Sequence, residues 1–283
     1  MYQSEMFAGK RFLVTGGGSG LGRSMAGRLA GLGADIVICG RRREVLDEAA
    51  AEIGAAVKRD CVETHSCDIR DAAAVEAMLD AVFAAGALDG LVNNAAGNFI
   101  SRSEDLSPRA VDAVLNIVAH GTAYITLGCG RRWLERQSAA TVLTIATTYG
   151  ETGSAYVVPS AMGKAAIIAM TRSLAVEWGG RGIRLNAVAP GPFPTKGAWE
   201  RLVPRADLAA RFETKNPLGR PGEHEELANL AVFLLSPLSS YINGEVVTID
   251  AGEWLQGAGQ FNFLSALTAD EWESMRPAKK PSR

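Results

Sequence analysis

The stretch Thr15-Gly16-Gly17-Gly18-Ser19-Gly20-Leu21-Gly22 follows the β-branched run Arg11–Thr15 and leads directly into a helical pattern at Ser24–Leu32. Glycines permit a tight turn and let backbone N–H groups approach a pyrophosphate, while the helix N-terminus contributes a positive dipole. A glycine-rich loop alone is a weak signal. Between the first strand and the first helix of an alternating α/β chain, it strongly indicates a dinucleotide-binding fold.

The alternation continues along the rest of the chain. Strands are predicted at Arg11–Thr15, Asp35–Cys39, Glu63–Cys67, Gly90–Asn93, Thr141–Ile145, Arg184–Val188 and Val246–Ile249. Helices are predicted at Ser24–Leu32, Glu44–Ile53, Ala72–Phe83, Ala110–Arg136, Ala161–Trp178 and Glu223–Leu235. This order predicts a single-domain, Rossmann-like, doubly wound α/β fold over residues 1–283, with a mostly parallel seven-stranded sheet and helices on both faces.

The composition is typical of a soluble globular protein. The chain has 283 residues, of which 47% are hydrophobic and 21% charged, and its formal net charge is −2. That charge argues against nonspecific binding to nucleic acid or to a membrane surface, and no apolar run approaches the roughly 20 residues that span a bilayer. Neither the first residues nor the ending Pro281-Ser282-Arg283 resembles a targeting signal, so we expect a cytoplasmic protein.

The cysteine and histidine patterns point away from a metal site. Cys39, Cys61, Cys67 and Cys129 form no C-x-x-C pair, and the three histidines are scattered. We therefore expect reduced thiols and no bound metal.

Two segments interrupt the alternation. Residues 191–222 are rich in Pro, Gly and Arg and follow the carboxyl end of a strand, where a substrate lid lies in this architecture. Residues 252–283 form a C-terminal extension that carries Trp254, Phe261, Phe263 and Trp272. Because it is too aromatic for a free tail, we expect it to pack down, on its own chain or on a neighbouring subunit.

The end of the second strand indicates which dinucleotide is bound. An enzyme that prefers NAD usually places Asp or Glu there to bond the ribose hydroxyls. Here the strand ends in Cys39-Gly40-Arg41-Arg42-Arg43, without a carboxylate to repel a 2′-phosphate. Guanidinium groups bind phosphate well, so NADP(H) is predicted, with Arg41 at the phosphate. The alternative is an ordinary solvated, basic start of a helix.

Four motifs resemble the short-chain dehydrogenase/reductase family over nearly the whole chain. They are Thr15–Gly22, Cys67-Asp68-Ile69, Asn93-Asn94-Ala95-Ala96-Gly97 and Pro190-Gly191-Pro192. Taken with the basic end of the second strand, the resemblance implies cofactor contacts at Gly16, Ser19, Gly20, Leu21, Arg41, Asp68, Ile69, Asn94, Ala95, Gly97, Lys164, Pro190, Gly191 and Phe193.

The family's catalytic signature, Tyr-x-x-x-Lys, is broken. Lys164 is in place, but Ser160 stands where the tyrosine is expected, and a serine hydroxyl without an adjacent base cannot replace a phenol. Val118 occupies the position of the family's helix Asn, and Asn116 lies out of register. The chain is therefore either inactive or carries out different chemistry.

A second set of matches favours different chemistry. Tyr149-Gly150-Glu151-Thr152-Gly153-Ser154 and Val157-Val158-Pro159-Ser160-Ala161 closely resemble the 2,4-dienoyl-CoA reductases, a branch that reduces conjugated dienoyl-CoA esters with NADPH. The resemblance extends through Asn98-Phe99-Ile100-Ser101, Thr195-Lys196-Gly197-Ala198, Glu226–Ala231 and Gly259-Gln260-Phe261-Asn262. In that branch the catalytic tyrosine lies upstream of the usual position, and Tyr149 matches it.

The resemblance implies a role for each candidate catalytic side chain. Tyr149 and Asn98 would stabilise a dienolate, with Tyr149 then supplying a proton to carbon. Lys164 would bond the nicotinamide ribose, Ser160 would orient substrate or cofactor, and Thr147 or Thr148 would help. The other phenol that precedes Lys164 is Tyr156, whose eight-residue offset fits neither pattern.

The same resemblance implies an acyl-CoA substrate and a homotetramer. Substrate contacts are expected at Arg201, Arg70, Phe99 and Ser107, and subunit contacts near residues 110–136 and 161–178. The competing functions are a 3-oxoacyl reductase, an enoyl thioester reductase and a catalytically silent NADP-binding regulator.

Overall fold

The computed structural model describes residues 2–195 and 215–276. These residues form a seven-stranded sheet in the order β3-β2-β1-β4-β5-β6-β7, in which every neighbouring pair is parallel. The strands are β1 (Arg11–Thr15), β2 (Asp35–Gly40), β3 (Val62–Ser66), β4 (Gly90–Asn93), β5 (Ala140–Ile145), β6 (Ile183–Pro190) and β7 (Val246–Ile249). The predicted doubly wound α/β fold is confirmed.

The described helices lie between the strands and after the last one. They are α1 (Gly20–Ala30), α2 (Arg43–Val57), α3 (Ala72–Ala85), α4 (Pro108–Leu115), α5 (Thr122–Glu135), α6 (Tyr149–Thr152), α7 (Val158–Gly179), α8 (His224–Leu235), α9 (Glu253–Ala258) and α10 (Ala269–Ser274). A π-helical segment, Asn116–Gly121, joins α4 to α5 without a break.

The starts of two helices follow from their sequences. The Asp71 carboxylate accepts hydrogen bonds from Ala73 N (2.9 Å) and Ala74 N (3.1 Å), which satisfies free N–H groups in the first turn of α3. Ser107 accepts from Ala110 N at 3.2 Å and is followed by proline at the first position of α4. Ser107 is also a predicted substrate contact. Its hydroxyl oxygen already has a structural partner, the N–H group of Ala110.

The core has two layers because alternate residues of a strand point to opposite faces. In β1, Phe12 and Val14 pack with residues of α1, α2 and α8, whereas Leu13 packs with residues of α3, α5 and α7. The sheet is therefore buried on both sides, as expected for parallel strands.

The helix that runs from Pro108 to Glu135 is, within the described ranges, the one helix long and apolar enough to cross a membrane. Ile125, Cys129 and Trp133 on this helix are fully buried and pack in the same core layer as α3 and α7. Core helices satisfy the same criteria of length and composition, and one side of this helix packs in the core.

The C-terminal extension is held at its base and exposed beyond it. The Asp250 carboxylate accepts from Gly252 N and from Trp254 N, both at 2.9 Å, and Trp254 is half-buried. Phe261, Phe263 and Trp272 are exposed. These three aromatics therefore find no burial against the described residues of their own chain. Packing on a neighbouring subunit stays a prediction.

The parallel arrangement of the strands also determines where the candidate site lies. The carboxyl ends of all seven strands meet at one edge of the sheet, so the segments that follow β1, β2, β4, β5 and β6 lie side by side there.

Candidate active site

The glycine-rich loop after β1 is shaped to admit an anion. Gly16 has a φ of +66°, and a Cβ atom on Gly22 would lie only 2.4 Å from Gly16 O, so neither position accepts a side chain. Ser19 precedes α1 and makes no capping bond, and the first turn of α1 contains no acidic residue. The positive end of α1 is therefore free to bind a phosphate group.

The turn after β4 is tied to this loop. The N–H groups of Asn94 and Ala95 both donate to Thr15 Oγ1 at 3.0 Å, and Asn94 Nδ2 donates to Thr15 O at 3.1 Å. These bonds hold the predicted cofactor contacts Asn94 and Ala95 against the end of β1, and Gly97 follows in the same segment.

The three arginines after β2 differ in their partners. Arg43 is bound to Asp47 with a 2.9 Å contact between Nε and Oδ2. Arg41 and Arg42 are exposed, and neither forms a salt bridge with any residue that the structure describes. Their guanidinium groups remain available to a phosphate, which fits the 2′-phosphate of NADP(H).

Asp68 and Arg70 form one unit at the end of β3. Arg70 Nε lies 2.9 and 3.0 Å from the two Asp68 carboxylate oxygens, and Arg70 Nη2 lies 2.5 Å from Oδ2. The hydrogen bond from Arg70 is the main cause that lowers the pKa of Asp68, with a smaller contribution from Arg41. Arg70 was predicted as a CoA contact, and in this structure its guanidinium is occupied by Asp68.

A short helix positions Tyr149. β5 ends at Ile145, and α6 begins at Tyr149. A Cβ atom on Gly150 would lie 2.9 Å from Ile168 Cδ1 and 3.1 Å from Lys164 Cβ, so a glycine is needed for α6 to approach α7 this closely. This close packing brings the phenol of Tyr149 to the first turn of α7.

Two polar side chains converge at the phenol of Tyr149. Tyr149 OH lies 3.1 Å from Ser160 Oγ and 3.5 Å from Asn98 Nδ2. Asn98 Oδ1 accepts from Phe99 N at 2.8 Å, which turns the Nδ2 donor toward Tyr149. Ser160 is 1% exposed. The structure thus brings together three of the four predicted catalytic side chains.

The fourth, Lys164, lies on α7 and is buried. Its ammonium donates to the backbone oxygen of Ile145. Burial lowers the pKa of Lys164 from 10.5 to about 8, because desolvation disfavours the charged form. An anion bound beside the ammonium would favour its charged form and therefore raise this pKa.

Other polar groups lie nearby. The Thr147 hydroxyl is buried, and no residue in the described part of the chain forms a hydrogen bond with it. Thr148 directly precedes α6. Tyr156 has a φ of +68° and is exposed, and its backbone oxygen accepts from Ser101 N at 3.0 Å. A buried hydroxyl without a partner is costly, so Thr147 is suited to bind a ligand atom.

Comparison with known proteins identifies the family. A family model described as Enoyl-(Acyl carrier protein) reductase matches residues 16–253. A probable 2,4-dienoyl-CoA reductase, (2E)-enoyl-CoA-producing, from Bacillus subtilis (strain 168) is 44% identical over 248 residues, which cover 87% of this chain and 97% of the relative. The chain belongs to the short-chain dehydrogenase/reductase family.

Solved structures agree with this assignment. A short chain dehydrogenase from Bacillus anthracis has a TM-score of 0.78 at 39% identity, covering 87% of this chain and 96% of the other. A putative 2-deoxy-D-gluconate 3-dehydrogenase from Agrobacterium tumefaciens with bound NADP has a TM-score of 0.82 at 30% identity, covering 90% of this chain and all of the other (100%). The chain is an oxidoreductase of the short-chain fold.

Within this family, the structure explains how the broken signature is accommodated. Ser160 takes the expected tyrosine position, and the phenol of Tyr149 approaches it from α6. Val118, which replaces the family's helix Asn, is buried with Val114 and Ile167 and packs beside Phe99. Asn116 binds His120 instead, with a 2.9 Å contact between Oδ1 and Nδ1.

The remaining predicted residues occupy the adjoining loops. Ile69 is buried, Leu21 packs against the core, and Pro190 ends β6. Gly191 N donates to Ile249 O at 3.0 Å, and Phe193 packs against Gly222. Arg201, predicted as a CoA contact, lies outside the described residues.

Sequence reasoning missed His224, which binds both α1 and the segment after β6. Its Nδ1 lies 3.1 Å from Ser24 Oγ, and its Nε2 lies 2.7 Å from Pro194 O. An isolated histidine at the start of a helix gives no sequence signal for such a role.

Proposed function

We propose that this short-chain oxidoreductase is an NADPH-dependent 2,4-dienoyl-CoA reductase, which reduces conjugated dienoyl thioesters to enoyl thioesters in the degradation of unsaturated fatty acids. The observation that carries the proposal is the phenol of Tyr149, placed by α6 3.1 Å from Ser160 Oγ and 3.5 Å from Asn98 Nδ2. The 44% identical relative named for this activity supports it.

The cofactor is held along the carboxyl edge of the sheet. The glycine-rich loop and the start of α1 bind the pyrophosphate, Arg41 binds the 2′-phosphate, and Asp68 contacts the adenine. Lys164 bonds the nicotinamide ribose. When bound, NADPH supplies a hydride to the far end of the diene.

The protein stabilises the negative charge that then develops on the substrate. Electron density moves through the conjugated system to the thioester oxygen, and Asn98 Nδ2 and Tyr149 OH donate hydrogen bonds to that oxygen. Tyr149 gives its proton to carbon as the general acid, which completes the addition of a hydride and a proton across the diene. Ser160 fixes the direction of the phenol, and the Lys164 ammonium adds positive charge.

The CoA ester lies across the loops beyond these residues. Phe99, which packs against Val114 and Ile167, provides an apolar surface for the acyl chain. The Ser107 hydroxyl, whose oxygen caps α4, retains a hydrogen to donate to the substrate. Arg201 in the predicted lid, 191–222, is the proposed first cation for the CoA phosphates. Arg70 is the proposed second, through its Nη1 group, because its Nε and Nη2 groups bind Asp68.

The proposed assembly is a cytoplasmic homotetramer. On α7, exposed residues recur three and four positions apart, at Met162, Ala166, Ala169, Ser173 and Val176. A stripe of small and apolar side chains with this spacing is suited to helix–helix packing. The four cysteines are free and buried, which suits a reducing compartment.

The test is the oxidation of NADPH by the purified protein with 2,4-hexadienoyl-CoA, acetoacetyl-CoA or crotonyl-CoA. We expect turnover with the dienoyl ester and little with the other two. Turnover of acetoacetyl-CoA alone would instead make the chain a 3-oxoacyl reductase, and turnover of crotonyl-CoA alone an enoyl thioester reductase. Tight NADPH binding without turnover would indicate a silent regulator.

A further inference from the structure

We propose that His224 is a positioning residue for the dinucleotide, because it holds the start of the predicted lid against the glycine-rich loop. The inference rests on the cofactor assignment above and adds a residue that lies outside the motifs quoted in the sequence analysis. It concerns the polar chain that runs from Pro194 through His224 and Ser24 to Gly20.

The hydrogen bonds define the arrangement. His224 Nε2 lies 2.7 Å from Pro194 O, and a carbonyl oxygen only accepts, so Nε2 carries a hydrogen. In the neutral ring Nδ1 is then an acceptor, and the Ser24 hydroxyl at 3.1 Å is its donor. Ser24 Oγ also lies 3.1 Å from Gly20 O, in the turn that opens α1. The hydroxyl carries one hydrogen, so it donates to Nδ1 or to Gly20 O at any moment and lies within reach of both. One imidazole thus joins the segment after β6 to the glycine-rich loop.

This connection places Thr195 directly on the loop. A Cβ atom on Gly20 would lie 3.2 Å from Thr195 Cγ2, so the threonine contacts Gly20 itself. Gly222 N donates to Pro192 O at 2.9 Å, which fixes the start of the same segment from the other side. His224 binds Pro194, the residue directly before Thr195, and its loss should leave the loop and this segment free to separate.

The effect should fall on the affinity for the whole dinucleotide. The glycine-rich loop faces the pyrophosphate, which NADPH and NADH share, whereas Arg41 faces the 2′-phosphate that only NADPH carries. Loss of His224 should therefore weaken both dinucleotides by the same factor. Loss of Arg41 should weaken NADPH selectively.

The experiment measures the Kd of NADPH and of NADH by fluorescence titration for the wild type, His224→Phe, His224→Gln and Ser24→Ala. Two hydrogen bonds are lost in His224→Phe, and we expect both Kd values to rise about five- to tenfold. His224→Gln retains a donor and an acceptor and should recover most of the affinity. Ser24→Ala should weaken binding in the same direction, and the double variant should be no weaker than His224→Phe.

Asn229→Ala is the matched control. Asn229 Oδ1 accepts from Arg28 Nε at 2.8 Å, so this bond joins the same two helices, α1 and α8, away from the glycine-rich loop. We expect this variant to lower the melting temperature as much as His224→Phe does, with no change in either Kd. With 2,4-hexadienoyl-CoA, His224→Phe should raise the KM for NADPH and change kcat at saturation by less than about twofold.

Two outcomes would overturn the proposal: unchanged Kd values in folded His224→Phe, or an equal rise in Asn229→Ala. If His224→Phe fails to fold, unchanged Kd values in Ser24→Ala overturn it equally. Failure of the wild type to bind either dinucleotide would refute the cofactor assignment, which is a distinguishable result.

Discussion

At the scale of single residues, the phenol of Tyr149 has two polar neighbours and therefore two separable functions. Its oxygen is held by Asn98 and Ser160. In the proposed mechanism its hydrogen is the proton that the reaction consumes. Removing the hydroxyl deletes the proton donor and one donor to the developing oxyanion, while the cofactor contacts on β1, β2 and α1 stay intact.

We therefore expect Tyr149→Phe to lose about 10²–10⁴ in kcat for a dienoyl-CoA, with an unchanged Kd for NADPH. Tyr156→Phe is the matched control, because Tyr156 is an exposed phenol on the neighbouring turn. A full rate in Tyr149→Phe, measured by stopped-flow oxidation of NADPH, would remove Tyr149 from its proposed role.

We expect Lys164 to make cofactor binding depend on pH. With a pKa of about 8 in the free protein, its ammonium is present below pH 8 and is lost above it. The affinity for the anionic cofactor should be constant below about pH 8 and fall by up to about tenfold per pH unit above it. Titrations in Lys164→Met should show no such fall. An identical pH profile in the two proteins would contradict the assignment.

Lys164 also makes stability depend on pH, in the opposite direction: the free energy of unfolding rises with pH where the cofactor affinity falls. Between pH 8 and 10.5 the unfolded chain binds a proton at Lys164 that the folded chain does not. The free energy of unfolding should therefore rise with pH in this window, by up to about 1.4 kcal/mol per unit. The measurement is the difference between wild type and Lys164→Met in urea unfolding, which cancels the titration of other groups. A flat difference would refute this reading.

At the scale of residues, the sequence predicts which residues form the site better than it predicts their burial and their hydrogen-bond partners. The glycine-rich loop and Arg41 are predicted from physical chemistry, because backbone approach and phosphate binding demand those residue types. Tyr149 is found only by resemblance, because a tyrosine after a strand has no signal of its own. The burial of Lys164 and the pairing of Arg70 with Asp68 depend on tertiary contacts and are visible only in the structure.

At the scale of elements, we propose that the end of β2 and the start of α2 determine the preference for NADPH over NADH. Arg41→Ala should weaken NADPH by about tenfold or more and leave NADH within about twofold, because one charge-assisted contact to the 2′-phosphate is lost. Arg43→Ala is the control, since Arg43 is bound to Asp47 on the surface of α2. Isothermal titration with both dinucleotides gives the answer, and equal losses for NADPH and NADH would show that Arg41 does not bind the 2′-phosphate.

Strands were predictable because a buried parallel strand is a short β-branched run between turn signals. β1, β4 and β7 begin and end as predicted. β2 and β5 differ by one residue at one end, and β3 and β6 differ by one or two residues at both ends. α6 was not predicted, because four residues are too few to show helical periodicity. The π-helical segment was also missed, since one inserted residue leaves the apolar pattern of a long helix nearly unchanged.

At the scale of the whole molecule, the exposed stripe on α7 provides a test of assembly. We expect a tetramer in sedimentation velocity, and Ala169→Glu should shift the protein to smaller species, because each contact between two α7 helices would bring two like charges together. Ala84→Glu on α3 is the control, because Ala84 is exposed but lies off the stripe. A tetramer that survives Ala169→Glu would place the interface elsewhere.

Because all seven strands run in the same direction, the loops at their amino ends lie away from the active site and can accept insertions. Ala87, before β4, and Gln137, before β5, are exposed in the connections at the amino ends of their strands, opposite the cofactor edge. A peptide inserted at either position should emerge away from the active-site mouth. An enzyme tethered to a bead through such an insertion would keep its substrate entrance open to the solution, whereas in a sheet of antiparallel neighbours some of these loops would face the site.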